Sequence, residues 1–457
     1  MRKHIKIMSF IICLAFIFTI LSACGSSTST DANKNVSNSQ DSKNTSGNDI
    51  KPKEKVEIEW STWGNPGETE IFDEFTEQFN KKHADSISLK FTPVPSSGYS
   101  QKILSSLAAG IAPDVFYVKA NDITTFTKEN RLVDLRPMME ASETVKPDVF
   151  ALNIFGEAVQ GDKIYGIVPD CNPVVIFYNI DMIKALGEKT PQEYIDEGNW
   201  NRDTFSRIAI KAAEAGKHGF VLDIDSSSSQ TSIFLGDSDE GLYFDPEGTK
   251  VDLDNPVKAE GLRWIYELSK AKGVTEEVQI PKGQDQVSLF ASNQAAMIIL
   301  GRWGLPVFKD IEDFKWDIAP LPSTNDGREV KPGVTVSYIA MNADTKYQDA
   351  AFTFIEEYCN RDGQTFRLKD GGNALPSLKD PDFVKTIVDD GIVGHPEYFI
   401  QGLNNGVSIP RGTQRSPEAA TAVFDAMRQM FLGKIDVEKC IELAKTNANP
   451  ILEEANK

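Results

Sequence analysis

Histidine and cysteine are scarce in this 457-residue chain, at four and five residues. His4, His83, His218 and His395 are scattered, so their spacing offers neither a histidine-based metal site nor a catalytic triad. Cys24, Cys171, Cys359 and Cys440 lie too far apart for a disulfide framework or a zinc motif. Positive charge is also short. Against 67 Asp and Glu there are 48 Lys and Arg, a formal net charge of -19, and this excludes the basic stripe that nucleic acid requires. The polar run at 226–230 lacks a P-loop lysine, and no Rossmann glycine pattern occurs. Asp237, Asp239, Gly241 and Asp245 lack the full ligand ladder and terminal glutamate of a calcium loop, which predicts a surface turn. No metal and no cofactor is expected.

Long hydrophobic runs are missing except at the N-terminus. There Arg2, Lys3 and Lys6 precede an apolar stretch from Met8 to Leu21, shorter than the ~20 residues of a membrane span. Leu21-Ser22-Ala23-Cys24 follows and resembles the lipobox of bacterial lipoproteins. Residues 1–23 are expected to be a signal peptide and Cys24 the lipidated N-terminus of the mature chain. Losing the three positive charges of the leader would take the net charge from -19 to -22. Residues 24–55 are rich in Ser, Asn, Thr and Lys and offer almost nothing to bury, which predicts a flexible tether with a reach on the order of 30 Å.

From Val56 onward, short apolar strands alternate with amphipathic helices. "VEIEW" alternates, "ETEIFDEFTEQFNKKH" carries Ile71, Phe72, Phe75 and Phe79 at helical spacing, and "DVFYV" is a buried strand. This rhythm predicts α/β lobes with a largely parallel sheet, where ligands bind beyond the carboxyl ends of strands. About 400 residues exceed what one core supports, so two lobes or more are expected. Pro169 and Pro173 bracket Asp170-Cys171-Asn172, which suits a crossover more than continuous sheet. Asn255 before Pro256 predicts a capped helix with Leu262, Ile265 and Leu268 on one face.

An apolar strand in "NQAAMIILGRWGLP" stops at Gly301 and is followed by Arg302, Trp303 and Gly304. A loop tip has no packing need for tryptophan. Sugars, by contrast, present apolar C–H faces ringed by hydroxyls, and so call for flat aromatic platforms with paired polar groups. Trp303 is therefore a candidate platform, and Arg302 a candidate donor to hydroxyls or a carboxylate. Trp63 and Asn65 follow the first strand, and Lys119 and Asn121 follow "DVFYV". All four are candidates from the opposite side, with Trp60 assigned to the core. Asp170 and Asn172 belong to the crossover between the prolines.

The ordered landmarks "WSTWGNPGE", "LAAGIAPDVFYV", "DKIYGIVPDCNPVVIFYNIDMIKALG", "LFASNQAAMIILGRWGLP", "WDIAPLPS" and "DGGNALPS" resemble family 1 extracellular solute-binding proteins, the maltose-binding-protein group of ABC importers. The resemblance implies a periplasmic-binding-protein-like α/β fold of two lobes, each a mixed, mainly parallel sheet flanked by helices. Lobe 1 would comprise 56–168 and 322–360, and lobe 2 residues 173–317 and 365–457. Three crossovers are implied, near residues 169–172, 317–321 and 358–364. Thr335, Asn373 and Arg411 join the candidate binding residues on the same basis. The implied partners are a carbohydrate ligand, a membrane permease and, through Cys24, the membrane, with the protein a monomer and not an enzyme. The alternatives are a secreted carbohydrate-active enzyme using paired carboxylates, a ligand sensor, or a binding protein for a non-sugar or acidic solute. Arg302 and Lys119 suit the acidic case.

Overall fold

The computed structural model describes residues 55–150, 154–224, 228–236, 241–276, 279–407 and 409–456. The expected signal peptide, Cys24 and the tether up to residue 54 lie outside these residues, as do Asp237 and Asp239. No helix among the described residues is long and apolar enough to cross a membrane.

Strands β1 (Val56–Ser61), β2 (Ile87–Phe91) and β3 (Val115–Lys119) pair in parallel with β1 central. The helix Pro66–Lys82 joins β1 to β2 and buries Phe72, Phe75 and Phe79 beside Trp60. Trp60 has no exposed surface, and its indole N–H donates to Thr76 Oγ1 at 3.0 Å, which satisfies the one polar atom of a buried ring. A small hairpin follows, β4 (Val159–Gln160) with β5 (Lys163–Ile164). Next come β6 (Asp170–Pro173) and β7 (Val175–Asn179), then β8 (His218–Leu222), β9 (Val274–Glu276), β10 (Ala295–Leu300) and β11 (Trp316–Ala319). The last strands are β12 (Val334–Met341) and β13 (Leu375–Pro376). They form two large sheets, ordered β13-β6-β12-β3-β1-β2 and β11-β7-β10-β8-β9. All six positions of β10 are buried, as the apolar run predicts. The Asn255 cap forms as expected, its side chain accepting from Val257 N at 3.0 Å, and Leu262, Ile265 and Leu268 are buried.

Four expectations need correction. Parallel pairing is confined to β1, β2 and β3 and to β10, β8 and β9, while β6, β7, β11, β12 and β13 all pair antiparallel. The sheets are thus mixed, and β7 and β12, the two strands that directly follow a crossing, run antiparallel to both of their neighbours. Second, residues 170–173 are sheet, paired with β12 on one side and β13 on the other. The prolines shorten the strand without excluding it, since Pro169 precedes it and Pro173 is its final residue. The crossing itself is Val174, the one residue between β6 and β7.

Third, the connection placed near 317–321 lies later. Asp317 to Ala319 are paired within the second sheet, and Leu321 and Val330 pack in that lobe's core. Lys331 N still donates to Gly236 O at 2.9 Å, so the chain passes to β12 only at residues 332–333. Fourth, the chain does not cross at 358–364. Asn360 caps a second helix, Arg361–Leu368, and β13 then returns to β6 in the first sheet. Crossing waits until 389–396, where Gly394 N and His395 Nδ1 bond to Asp317 at 2.9 and 2.6 Å. Residues 322–331 therefore go with the second lobe and residues 365–388 with the first.

Candidate functional site

Four strands deliver their carboxyl ends to one cavity of about 550 Å³ between the sheets. Trp63 and Asn65 follow β1, Lys119 ends β3 and Asn121 follows it, Asp223 follows β8, and Trp303 follows β10, so both lobes contribute. This is the site that strand polarity in open α/β sheets leads one to expect. Asp170, Asn172, Thr335 and Asn373 also line it.

Half-buried Trp63 packs edge-on against Tyr99 and Tyr117, with ring centroids at 4.9 and 5.7 Å. Lys119 Nζ lies 5.4 Å from the Trp63 ring centroid and donates to Ser96 O at 3.1 Å. Burial draws the Lys119 ammonium below its ordinary pKa, against the pull of Asp122 and Asp223. Across the cavity, Gly301 is a contact requirement, because a Cβ there would meet the Trp303 ring at 2.1 Å and Asn172 Cβ at 2.8 Å. The missing side chain lets the indole fold back along the strand end and keep one part in the cavity.

Asn65 works twice. Its Oδ1 caps the helix Pro66–Lys82 by accepting from Glu68 N at 3.0 Å, and its Nδ2 donates to Trp303 O in the other lobe at 2.7 Å. Gly67 approaches Pro306 so closely that a Cβ would lie 2.7 Å away. The lobes meet along this edge. Glu68, which the sequence reading did not single out, completes the capping box and accepts from Asn373 Nδ2 at 2.9 Å. Desolvation pushes its pKa up to about 7, against the hydrogen bonds from Asn373 and Asn65, with the Asp170 charge adding to the rise. The Asn65-x-x-Glu68 spacing is a capping signature, and it is the one sequence signal that marks Glu68.

Asp170 sits against Arg367 Nη1 at 2.8 Å, and the Arg367 guanidinium covers the Tyr358 ring at 3.8 Å. Burial raises the Asp170 pKa while Arg367 opposes the rise. Asn172 Oδ1 accepts from Arg302 N at 2.8 Å. Thr335 and Ser229 hydroxyls are 2.6 Å apart. Two acceptors on the wall, Asn121 Oδ1 and Asn373 Oδ1, are buried with no hydrogen-bond partner among the described residues. Asp223, Gln230, Asp285 and Gln286 line the second-lobe side and were also missed. Asp223 follows a strand as Trp63 does, so the same rule applied to "HGFVLDI" reaches it. Gln286 Nε2 donates to Gln230 Oε1 at 3.1 Å and to Val221 O at 2.9 Å, a contact no local pattern announces.

Two candidates do not belong to the site. Arg302 is fully buried and does not line the cavity. Its Nη2 pairs with Asp390 at 3.0 Å and also reaches Leu368 O, while Nε faces Gly372 O at 3.4 Å. A guanidinium so desolvated must be paired, and Arg302 meets that need by tying the end of β10 to the chain at 368–390. Arg411 begins the short helix Arg411–Arg415, is exposed, and does not line the cavity either.

Two α/β lobes with three connections, enclosing a cleft lined by rings and hydrogen-bonding groups, define a solute-binding protein. The sequence model of the family described as bacterial extracellular solute-binding protein matches residues 74–391, and the chain belongs to that family, whose members are binding proteins rather than enzymes. Among curated relatives, an arabinooligosaccharide-binding protein of Bacillus subtilis is 24% identical over 316 residues, covering 64% of this chain and 69% of that protein. An uncharacterized lipoprotein of Streptomyces antibioticus is 23% identical over 320 residues, covering 67% of this chain and 68% of its own length. Among solved structures, an ABC substrate-binding protein from Listeria monocytogenes in complex with cycloalternan matches with a TM-score of 0.76 at 20% identity. That match covers 87% of this chain and 99% of that one, which is a likeness of fold.

Proposed function

We propose that this protein is the carbohydrate-binding component of an ABC importer, closing its lobes around an intact oligosaccharide and presenting it to a membrane permease. The carrying observation is the cavity itself, where Trp63 from one lobe and Trp303 from the other supply ring surface among Asn, Asp and Gln side chains. Such a pairing suits pyranose C–H faces and their hydroxyls. Relatives that bind an arabinooligosaccharide and cycloalternan support the class. Trp63, Asn65, Lys119, Asn121, Asp170, Asn172, Trp303, Thr335 and Asn373 are the binding residues in this reading, with Glu68 and Asp223 added.

The ligand is neutral. With Arg302 committed to Asp390, Lys119 is, among the described residues, the lining cation with no carboxylate at bonding distance, and Glu68, Asp170, Asp223 and Asp285 face the same space. An added uronate would meet like charge in a partly desolvated cleft. Residues 1–23 serve as signal peptide, Cys24 carries the lipid, and residues 24–55 tether a monomer to the outer face of the membrane. A lipoprotein among the relatives agrees with this.

Calorimetric titration with neutral oligosaccharides and with oligouronates tests the reading. Saturable binding of the neutral series, with the sugar recovered intact by chromatography, is expected. Trp303→Ala should weaken it by about tenfold or more, a loss of ~1.4 kcal/mol. Preference for the uronates, or release of shorter products, would overturn the assignment.

A further inference from the structure

The lobes meet beside Trp303 through a closed run of hydrogen bonds. Asn65 Nδ2 donates to Trp303 O across the gap, and Asn65 N donates to Glu68 Oε2 at 2.8 Å. Glu68 Oε1 accepts from Asn373 Nδ2 at 2.9 Å. The preceding carbonyl, Gly372 O, faces Nε of Arg302 at 3.4 Å, and Arg302 is the neighbour of Trp303, which returns the run to its start. Glu68 is the acidic member of this run, and it also lines the cavity.

Both carboxyl oxygens of Glu68 are thus held by neutral donors, and the charge that acts on it is the repulsion of Asp170. The cations nearby are engaged elsewhere, Arg367 by Asp170 and Arg302 by Asp390. Lys119, Asp223 and Asp285 line the same cavity, while Glu70 and Asp73 of the Glu68 helix are exposed. Tyr117 and Tyr358, which burial holds far above the ordinary phenol range, stay neutral. A neutral solute filling this space displaces water from the carboxylate and brings no charge to balance it, which favours the protonated form. Desolvation has already raised Glu68 to about 7, so the exchange falls at neutral pH. The Asn373 amide can follow it. Its Oδ1 is buried with no hydrogen-bond partner among the described residues, and a half-turn of the amide brings that oxygen round to accept from a carboxyl O–H on Oε1. Oε2 keeps its bond from Asn65 N, so the capping box survives.

We propose that Glu68 takes up a proton from solvent on Oε1 as the cleft fills with a neutral solute, so that capture is tightest in mildly acidic surroundings and weakens as they turn alkaline. This rests on the carbohydrate reading above. The bound protein then holds a proton that the free protein has released. Affinity is therefore level below the Glu68 titration and falls as pH rises through it.

Calorimetry of the full-length protein in detergent, with the neutral oligosaccharides of the titration above, tests this near pH 7 in two buffers of different ionisation enthalpy. The difference in heat should report net uptake of a fraction of one proton per solute, and affinity should fall about tenfold between pH 6 and pH 8. The infrared difference spectrum of bound minus free wild type should gain the C=O band of a protonated carboxyl group. Glu68→Gln, an uncharged isostere whose fold a thermal melt checks, should bind with no uptake and with a level affinity over the same range. Binding without uptake in the wild type, or unchanged uptake in Glu68→Gln, overturns this inference and leaves the carbohydrate reading standing. Failure of every neutral oligosaccharide to bind overturns both.

Discussion

Arg302 and Trp303 are adjacent, and the backbone turn after Gly301 sends them to different places. The Arg302 guanidinium is sealed against Asp390, and both side chains are inaccessible to solvent. Removing one partner of a buried pair strands the other charge, so Arg302→Ala should destabilise the protein by about 3–5 kcal/mol, read by denaturant unfolding. A residue that served the ligand would lower affinity and leave stability unchanged. Glu68 offers a second test with a definite sign. Its pKa rises from an ordinary 4.5 to about 7, so between those values the folded state holds a proton that the unfolded state has released. The stability this group contributes is complete below about 4.5 and is lost as pH rises through about 7. Glu68→Gln keeps the capping box and should flatten that slope in thermal melts taken from pH 4.5 to 7.5; an unaltered slope would contradict the burial argument. That Trp63, Lys119 and Trp303 line the cavity was legible in the sequence because each stands at or just beyond the carboxyl end of a strand, and those ends face the cleft. The fate of Arg302 was not, because its partner stands 88 residues further on and no local pattern encodes that meeting.

Caps and strands were the readable elements. Asn255 with Pro256 marked a helix start, and the alternation in "VEIEW" and the apolar run before Gly301 marked strands that form with nearly the expected bounds. Crossovers were harder. Prolines around Asp170 announced a break in local geometry, but pairing with β12 and β13 outweighs it, because both neighbours satisfy the short strand's backbone groups. The second and third connections are ordinary loop sequence, and only long-range hydrogen bonds, from Ser323 N to Trp200 O at 3.3 Å and from Gly394 N to Asp317 Oδ1 at 2.9 Å, decide which lobe holds them. Asn65 shows how one element couples to the whole. Asn65→Asp retains the capping oxygen and removes the donor to Trp303 O, so the helix should keep its stability while the inter-lobe contact is lost. Small-angle scattering of the ligand-free variant is expected to give a larger radius of gyration than wild type, and an unchanged radius would show that this bond does not restrain opening.

At the scale of the molecule, the account holds that solute is gripped from both sides. Binding energy enters through contacts made to two lobes at once, and differential affinity for the closed arrangement shifts the population toward it. The hinge is built for this, with Val174 alone spanning the first connection just after β6, whose Asp170 is paired with Arg367, and with Asp390 of the third connection paired with the buried Arg302. Hydrogen–deuterium exchange with and without a saturating neutral oligosaccharide tests the claim most directly. The account predicts new protection at residues 63–68 and 119–121 of one lobe together with 229–230 and 301–304 of the other. Protection confined to a single lobe would contradict it.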